Sequence, residues 1–324
     1  MMDSPNIRFQ ETQAPGYLEG LRVGVYAGEG DEPASWAGAR TVETMYCGQA
    51  VRTLIIGGVG TRPEYRRQGH VRLMLEQLFA MAPEKGWDMS LLHPFSFSYY
   101  QKFGYERVAD HKILEFPMTA LENFPRCAGL TPYSADRLAD VLAVYRKFAA
   151  HRNLLIVRND ATRYTANRYV KDAQTYLWYG PDGAPAGYIM LQSEKTFVIN
   201  RNASVNLHVY ELAYTSREAL LALVGFIRMF EGENDTVKLH NVSMCPEFEA
   251  LFRHYGHLDC RVVPDVAGRI LNPETFLRLN QYPLQPGQFR LKVEDAFPGG
   301  QGVFEVAYGD GRAVVRRLPP ENPY

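Results

Sequence analysis

The stretch VGTRPEYRRQGHVRLM, residues 59–74, constrains the fold more than any other part of the sequence. The apolar run RTLIIGGVGT at 52–61 predicts a buried strand, and a turn that contains a proline follows it. From Val71 onward the apolar positions recur at steps of three and four, which predicts a helix ended by Pro83 and Gly86. A strand that passes through a turn into a helix is the core of an α/β unit.

The turn between this strand and this helix suits a bound anion. A helix N-terminus exposes unpaired backbone N–H groups, and Gly69 lets an anion approach the backbone closely. Arg66 and Arg67 add positive charge, which favours a pyrophosphate, although two arginines in a turn also fit a solvated surface pair. Neither a GxxxxGK[ST] loop nor a GxGxxG fingerprint is present, which argues against P-loop and Rossmann nucleotide binding.

The pattern of strands and helices divides the chain into three predicted domains. The first, 1–130, continues with a short strand at 88–95, a short helix stopped by Gly104, and a strand to about Phe116. The second, 131–263, is predicted to be another α/β unit without an RRQG-like turn. The third, 264–324, alternates like strands, and its Asp310-Gly311 pair favours a hairpin turn.

The second domain has its own predicted elements. They are helices at 134–151, 159–171 and 216–230, and strands on both sides of residues 181–183, at 204–213 and at 236–242. The first two domains could be weak repeats of one another, and the sequence alone does not establish this.

Composition narrows the possible partners and location. The 35 basic and 36 acidic residues nearly cancel, which gives no general attraction to nucleic acid or to a membrane. The four cysteines are far apart and form no CxxC, and the N-terminus has no apolar signal core. These features predict a cytoplasmic protein without a nucleic-acid or membrane partner.

Two motifs resemble those of a known family. The stretch VGTRPEYRRQGHVRLM resembles the acetyl-CoA-binding motif of the GNAT acetyltransferases, with Val71 where the R/Q-x-x-G-x-G/A loop usually has a small residue. The run LLHPFSFSYYQKFGYE, residues 91–106, resembles the enhanced intracellular survival (Eis) family. The resemblance implies an α/β (α+β) fold with two GNAT-like domains of mixed sheets, a small sterol-carrier-like C-terminal domain at 264–324, and a trimer or hexamer.

The same resemblance implies where acetyl-CoA binds. The backbone of three residues would pair with the pantetheine arm: Val59, Gly60 and Thr61. Six residues would hold the pyrophosphate: Arg67, Gln68, Gly69, His70, Val71 and Arg72. Near the thioester it places Phe95 and Ser96 beside the cofactor, Tyr100 as general acid, and His93 as an active-site histidine.

The chemistry implied is attack of an amine on the thioester carbonyl, with loss of CoA as a thiolate. A tyrosine of pKa near 10 can protonate a developing thiolate if it is well positioned. Tyr99 and Tyr100 are adjacent, so only one can face the site, and the resemblance selects Tyr100. His93 follows a strand directly, where a lone histidine is often structural, and both interpretations of it stay open.

No metal site is expected. His254 and His257 have a possible metal spacing, but no third ligand is evident. The acidic residues at 29–32, Glu29, Asp31 and Glu32, could attract a cationic amine or could simply be solvated.

These features together predict an N-acetyltransferase that moves an acetyl group from acetyl-CoA to a primary amine by direct transfer. The acceptor would be a polyamine, an aminoglycoside or a lysine-like amine. The alternative is a CoA- or lipid-binding module with an inactive transferase site. In the Eis family the general base is the terminal carboxylate, but here the third domain is short, so the Tyr324 carboxylate is not assigned as the base.

Overall fold

The computed structural model describes most of the chain, in seven ranges: 6–27, 30–159, 173–196, 204–240, 245–252, 258–297 and 299–319. Some residues considered above lie outside these ranges. They are the predicted helix at 159–171, Glu29, His254, His257 and Tyr324.

The regular elements of the described residues follow one another as strands with interspersed helices. The α-helices are α1 (His70–Ala80), α2 (Ala82–Lys85), α3 (Phe97–Gln101), α4 (Leu138–Ala149), α5 (Arg217–Ile227), α6 (Pro246–Glu249) and α7 (Pro273–Leu279). The strands are β1 (Asn6–Glu11), β2 (Glu19–Tyr26), β3 (Ser35–Tyr46), β4 (Gln49–Thr61), β5 (Met89–Leu92), β6 (Glu106–Pro117), β7 (Thr131–Pro132), β8 (Gln174–Tyr179), β9 (Pro185–Thr196), β10 (Ser204–Tyr214), β11 (Thr236–Leu239), β12 (Asp259–Ile270), β13 (Gly287–Val293), β14 (Gly302–Gly309) and β15 (Arg312–Leu318). Short 3₁₀ helices cover Pro63–Tyr65, Met118–Leu121, Ala135–Arg137 and Arg228–Phe230.

The chain forms two compact units. The first comprises Met1–Ala109, Asn153–Val157 and Asp265–Tyr324, and the second comprises Asp110–Arg152 and Arg158–Pro264. The C-terminal segment, expected to be a domain of its own, thus lies within the first unit. The predicted domain boundaries at residues 130 and 263 stay predictions.

The sheet of the first unit is mixed. Strands β1 to β4 are consecutive and antiparallel, β4 runs parallel to β5, and β5 pairs antiparallel with the last residues of β12, Ala267–Ile270. Helix α1 buries Met74, Leu75, Leu78 and Phe79 in the core on one face of this sheet. Strands β13, β14 and β15 form a separate antiparallel sheet.

The local signals of the sequence are found in the first unit. The strand predicted at 52–61 is β4, and the helix predicted from Val71 is α1. This helix ends at Ala80, before Pro83, and Gly86 instead ends the short helix α2 in a left-handed conformation, with φ 65°. The predicted hairpin at Asp310-Gly311 joins β14 to β15, and both residues have positive φ, 52° and 75°, as a type I′ turn requires.

The second unit repeats this strand order. Its strands β8, β9 and β10 are consecutive and antiparallel, β10 runs parallel to β11, and β11 pairs antiparallel with β6. Helices α4 and α5 bury their apolar faces, and strands β8 and β9 flank residues 181–183 as predicted. No helix among the described residues is long and apolar enough to cross a bilayer.

Arg269 connects three segments of the first unit. This buried side chain donates to the carbonyl of Phe103 at 2.8 Å and forms an ion pair with Asp295. Gly104 has φ 76°, and a Cβ atom there would collide with the guanidinium of Arg269. Glycine is therefore required at this position for its backbone conformation and for the space it leaves.

We expect Gly104→Ala to lower the free energy of unfolding by about 2–4 kcal/mol. About 1–2 kcal/mol is the cost of a left-handed alanine, and displacement of a buried hydrogen-bonded arginine adds the rest. Gly86→Ala is the matched control, because Gly86 has φ 65° and only an ordinary contact, with Arg52 at 3.7 Å. Denaturant unfolding of both variants measures the difference, and equal losses of stability would show that Arg269 yields without cost.

Candidate functional site

Strands β4 and β5 pair over only a few residues and then separate. The parallel pairing joins Thr53–Ile55 to Met89–Leu91 and then stops. The other edge of β4 stays paired with β3 as far as Thr61, which lies opposite Ser35. From Ile56 to Thr61, therefore, the edge of β4 that faces β5 has no partner strand in the described structure. Its free backbone groups can pair with an extended ligand as an added strand would.

A β-bulge in β4 accompanies this separation. Gly38 lies opposite Gly57 and Trp36 lies opposite Gly60, so two residues of β4, Gly58 and Val59, lie opposite one residue of β3. The extra residue lies at Gly58, which has φ 60°. A bulge bends a strand and increases its twist, which turns the end of β4 away from β5.

The glycines along this edge have different roles. A Cβ atom at Gly57 or Gly58 would meet nothing within 4 Å, so both positions leave open space. A Cβ atom at Gly60 would collide with the indole of Trp36. Gly60 is therefore needed for the packing of Trp36, while Gly57 and Gly58 place no side chain beside the slot, which is the gap between β4 and β5 beyond Ile55.

The turn after β4 presents the start of α1 without a cap. Gly69 precedes the helix with φ 81°, and no side chain caps this terminus. Leu73 makes the first helical hydrogen bond, to the carbonyl of Gly69 at 3.0 Å, which leaves the N–H groups of His70, Val71 and Arg72 free for an anion. A Cβ atom at Gly69 would meet nothing within 4 Å, so the approach to these groups is open.

The side chains of this turn differ in direction. Arg67 is exposed and has a left-handed backbone, φ 64°, which is strained for a residue with a side chain. Gln68 donates its amide to the carbonyl of Glu64 at 3.1 Å. Arg66 is exposed beside them. Two arginines thus stand in solvent beside free backbone donors, as an anion site requires.

The next three residues that were predicted to hold the pyrophosphate have side chains that contact other protein groups. His70 is buried, and its Nδ1 lies 3.0 Å from Oγ of Ser35. Val71 packs against the core. Arg72 forms an ion pair with Glu76 at 3.5 Å along the helix.

Tyr100 lies within an aromatic cluster on α3. Its ring is 3% exposed and lies 5.7 Å from that of Phe95, 5.2 Å from that of Tyr99 and 5.9 Å from that of Tyr105, between centroids. Burial, and to a smaller extent the neighbouring Tyr99, raise the pKa of Tyr100 to about 12. Its hydroxyl therefore keeps its proton at neutral pH, and it makes no hydrogen bond to any described residue.

Phe95 and Ser96 lie where α3 begins. Oγ of Ser96 accepts the N–H of Tyr99 at 3.3 Å and so caps the helix. Phe95 is 78% exposed although it contacts Tyr99 and Tyr100. The Phe95 ring thus stands largely in solvent beside the buried ring of Tyr100.

His93 is not brought to Tyr100. Its exposed imidazole lies 3.0 Å from Oδ1 of Asp265. Leu92 belongs to the core cluster that contains Tyr100, whereas Leu91 belongs to a separate cluster on the other face. Since side chains alternate along a strand, His93 follows the face of Leu91.

Two residues of β3 were not anticipated from the sequence. Ser35 and Trp36 lie about 25 positions before the turn and reach it only through the pairing of β3 with β4. The pair Gly57-Gly58 inside a strand was a usable signal, because glycine within a strand often marks a bulge. Among the described residues, no group of three or more His, Cys, Asp or Glu side chains could hold a metal ion.

Protein side chains meet at the corresponding point of the second unit. Within the described residues, the parallel pairing of β10 with β11 ends at Val209, and a bulge follows at Tyr210. The next residue, Glu211, is buried and receives two hydrogen bonds from Arg158, at 2.6 Å and 3.0 Å, and one from Tyr188.

The helix after β10 also lacks a free N-terminus. Only Thr215 and Ser216 separate β10 from α5, and Oγ of Ser216 accepts the N–H of Ala219 at 3.1 Å. Glu218 adds a negative charge in the first turn. Both features oppose an anion at this position.

Comparison with protein families identifies both halves of the chain. Residues 3–108 match one model of an acetyltransferase (GNAT) domain, and residues 144–270 match a second. The chain therefore contains two GNAT acetyltransferase domains in tandem. Comparison with curated proteins found no similar sequence.

Solved structures share this tandem fold. A protein from Enterococcus faecalis V583 described as a probable N-acyltransferase is 20% identical, with TM-score 0.77 over 97% of this chain and 86% of its own. A GCN5-related N-acetyltransferase from Anabaena variabilis is 22% identical, with TM-score 0.77 over 92% of this chain and 75% of its own. Eis1 from Mycobacterium abscessus is 16% identical, with TM-score 0.74 over 92% and 75%. At these identities the likeness concerns the fold.

Proposed function

We propose that this protein is an acetyl-CoA-dependent N-acetyltransferase that acetylates a primary amine at the slot of the first unit. The observation that carries the proposal is the open edge of β4, which leads directly into the uncapped start of α1. A linear ligand with an amide-containing arm and a diphosphate matches this arrangement of free backbone groups. The GNAT domain that covers residues 3–108 supports the same ligand.

The residues of the slot fit acetyl-CoA in two parts. On the edge of β4 that has no partner strand, backbone groups of Val59, Gly60 and Thr61 would pair with the pantetheine arm. The free N–H groups that follow Gly69 would hold the diphosphate, with the charges of Arg66 and Arg67 nearby. When bound, acetyl-CoA would supply an acetyl group activated as a thioester.

Tyr100 would act as the proton donor for the leaving sulfur. In the overall transfer the amine nitrogen bonds to the acetyl carbon, the carbon–sulfur bond breaks, and the sulfur receives a proton. Because burial raises the pKa of Tyr100 to about 12, its hydroxyl carries that proton throughout the physiological range. The proton lost by the amine goes to solvent or to a base that is not assigned here.

The acceptor is proposed as a polyamine, an aminoglycoside or a lysine-like amine on the basis of the Eis resemblance. The loop acids do not select a cation by themselves, because Glu32 forms an ion pair with Arg62 at 3.4 Å and Asp31 lies 3.9 Å from Arg8. A cytoplasmic location and a homo-oligomer belong to the same proposal. The free state of all four cysteines agrees with a reducing compartment.

Release of CoA thiol from acetyl-CoA, measured with a panel of polyamines, aminoglycosides and lysine peptides, tests the activity. Acetylation of an amine, verified by mass spectrometry, is expected. Tight acetyl-CoA binding without turnover on any amine would instead favour the CoA-binding module, and the absence of binding would contradict the proposal.

Gly69→Leu is expected to weaken acetyl-CoA binding by at least about tenfold. The side chain would project into the open approach to the helix N-terminus, and its φ of 81° would be strained for leucine. Titration calorimetry on the folded variant measures the affinity. Gly183→Leu is the matched control, since Gly183 has φ 77° and open space but lies in a turn of the second unit. An unchanged affinity in folded Gly69→Leu would place the cofactor elsewhere.

Calorimetric titration should give one acetyl-CoA per chain. In the second unit the helix after β10 is capped, and Glu211 after the bulge is bound by Arg158, so its described residues offer no equivalent anion site. A reproducible stoichiometry of two would show that the second unit also binds the cofactor.

Tyr100→Phe should lower kcat by about 10²- to 10⁴-fold and leave acetyl-CoA affinity almost unchanged. The ring packing is kept and only the proton donor is lost. Tyr99→Phe is the neighbouring control and should have a mild effect, because Tyr99 keeps its ring contacts and its hydroxyl is not the assigned donor. Steady-state kinetics on both variants decide the assignment, and equal, small effects would exclude Tyr100 as the donor.

The alkaline pH dependence gives a second check on Tyr100. With its pKa raised to about 12, the hydroxyl stays protonated below that value, so loss of this proton should not reduce kcat between pH 7 and pH 10. A fall in kcat over this range that disappears in Tyr100→Phe would contradict the raised pKa.

A further inference from the structure

Three side chains at the end of β4 and the start of α1 form a chain of hydrogen bonds around the buried Ser35. Ser35 on β3 is fully buried, and its Oγ lies 3.0 Å from Nδ1 of His70 and 3.0 Å from Oγ1 of Thr61. His70 is the first residue of α1 and Thr61 is the last residue of β4. The chain therefore connects the two segments on which the proposed cofactor site is built.

The direction of this chain follows from a count of hydrogens. Ser35 donates to Oγ1 of Thr61, and a serine hydroxyl has one hydrogen to give. Ser35 must therefore accept its other bond from His70, which requires the hydrogen of the neutral imidazole to be on Nδ1. Burial lowers the pKa of His70, so the neutral imidazole is the form present at pH 7.

This direction decides what Thr61 can offer to a ligand. Because Thr61 accepts from Ser35, its own hydroxyl hydrogen stays available, and it has no acceptor among the described residues. With the opposite direction Thr61 would give its hydrogen to Ser35 and would present only lone pairs. The hydroxyl belongs to the last residue of β4 and is connected through Ser35 to His70, the first residue of α1.

We propose that His70 is a positioning residue that acts through Ser35 to fix the Thr61 hydroxyl as a hydrogen-bond donor toward a carbonyl or phosphate oxygen of acetyl-CoA. The inference rests on the proposed function, since it assumes that the cofactor occupies this slot. The stacking of His70 on Tyr65, with ring centroids 6.2 Å apart and planes at 27°, holds the imidazole in this orientation. Tyr65 belongs to the turn that precedes α1, so the same contact also supports that turn.

The first test needs no cofactor. Nitrogen-15 NMR of histidine-labelled protein at pH 7.5 should show His70 as the Nδ1–H tautomer, with His70→Asn used to assign the signal. The Nε2–H tautomer would reverse the chain and overturn the inference. This result is independent of whether the protein binds acetyl-CoA.

The second test measures acetyl-CoA affinity by calorimetry. Thr61→Val removes the proposed donor and should weaken binding about tenfold. His70→Leu should weaken it to a similar extent. His70→Asn should recover most of the affinity, because its amide N–H can replace Nδ1–H as the donor to Ser35.

The double variant His70→Leu/Thr61→Val separates positioning from a merely structural effect. If His70 acts through Thr61, the double variant should bind no more weakly than Thr61→Val alone. Additive losses would overturn the inference, as would equal affinity of Thr61→Val and the wild-type protein. Failure of the wild-type protein to bind acetyl-CoA would instead contradict the proposed function.

Discussion

The early separation of β4 from β5 is the constraint on which the rest of the first unit depends. Three residue pairs hold the two strands together, and the bulge at Gly58 then turns β4 away while β3 keeps its other edge paired. The separation leaves a row of backbone donors and acceptors free on a strand that is otherwise fixed in the sheet. The turn at Arg67–Gly69 connects this strand edge to the N-terminus of α1, where further backbone N–H groups are free.

The two units show how the same strand separation can serve two purposes. In the first unit glycines keep the gap open, and the aromatic cluster around Tyr100 lies on the helix that follows β5. In the second unit Glu211 follows the bulge, and Arg158 and Tyr188 satisfy both of its oxygens. A buried carboxylate is tolerated there because its charge is paired and its hydrogen bonds are complete. In the second unit the residue after the bulge is thus bound by protein side chains, whereas in the first unit the residue after Gly57 is a glycine with open space around it.

Much of the local structure could be predicted, because short-range rules control it. Apolar periodicity identified β4 and α1, and the Asp310-Gly311 pair identified a hairpin whose turn needs two residues with positive φ. The environment of the predicted site residues was less accessible. Neither the pairing of His93 with Asp265 nor the bonding of His70 to Ser35 follows from spacing, since each joins residues distant in sequence through neighbouring strands. The placement of the C-terminal segment was equally inaccessible from the sequence, because long-range contacts place it in the first unit.

The sequence by itself determined the elements and the residue types at the turn: a strand, a glycine with an open approach, two arginines and a helix. These depend on backbone preferences and on interactions within a few residues, which the order of amino acids encodes directly. Only the tertiary structure decided which of these groups are available to a ligand. Pairing of β3 with one edge of β4 left the other edge free, and burial raised the pKa of Tyr100 and lowered that of His70. A group is available to a ligand only if it remains unpaired after all long-range contacts have formed. No local sequence pattern indicates which groups these are.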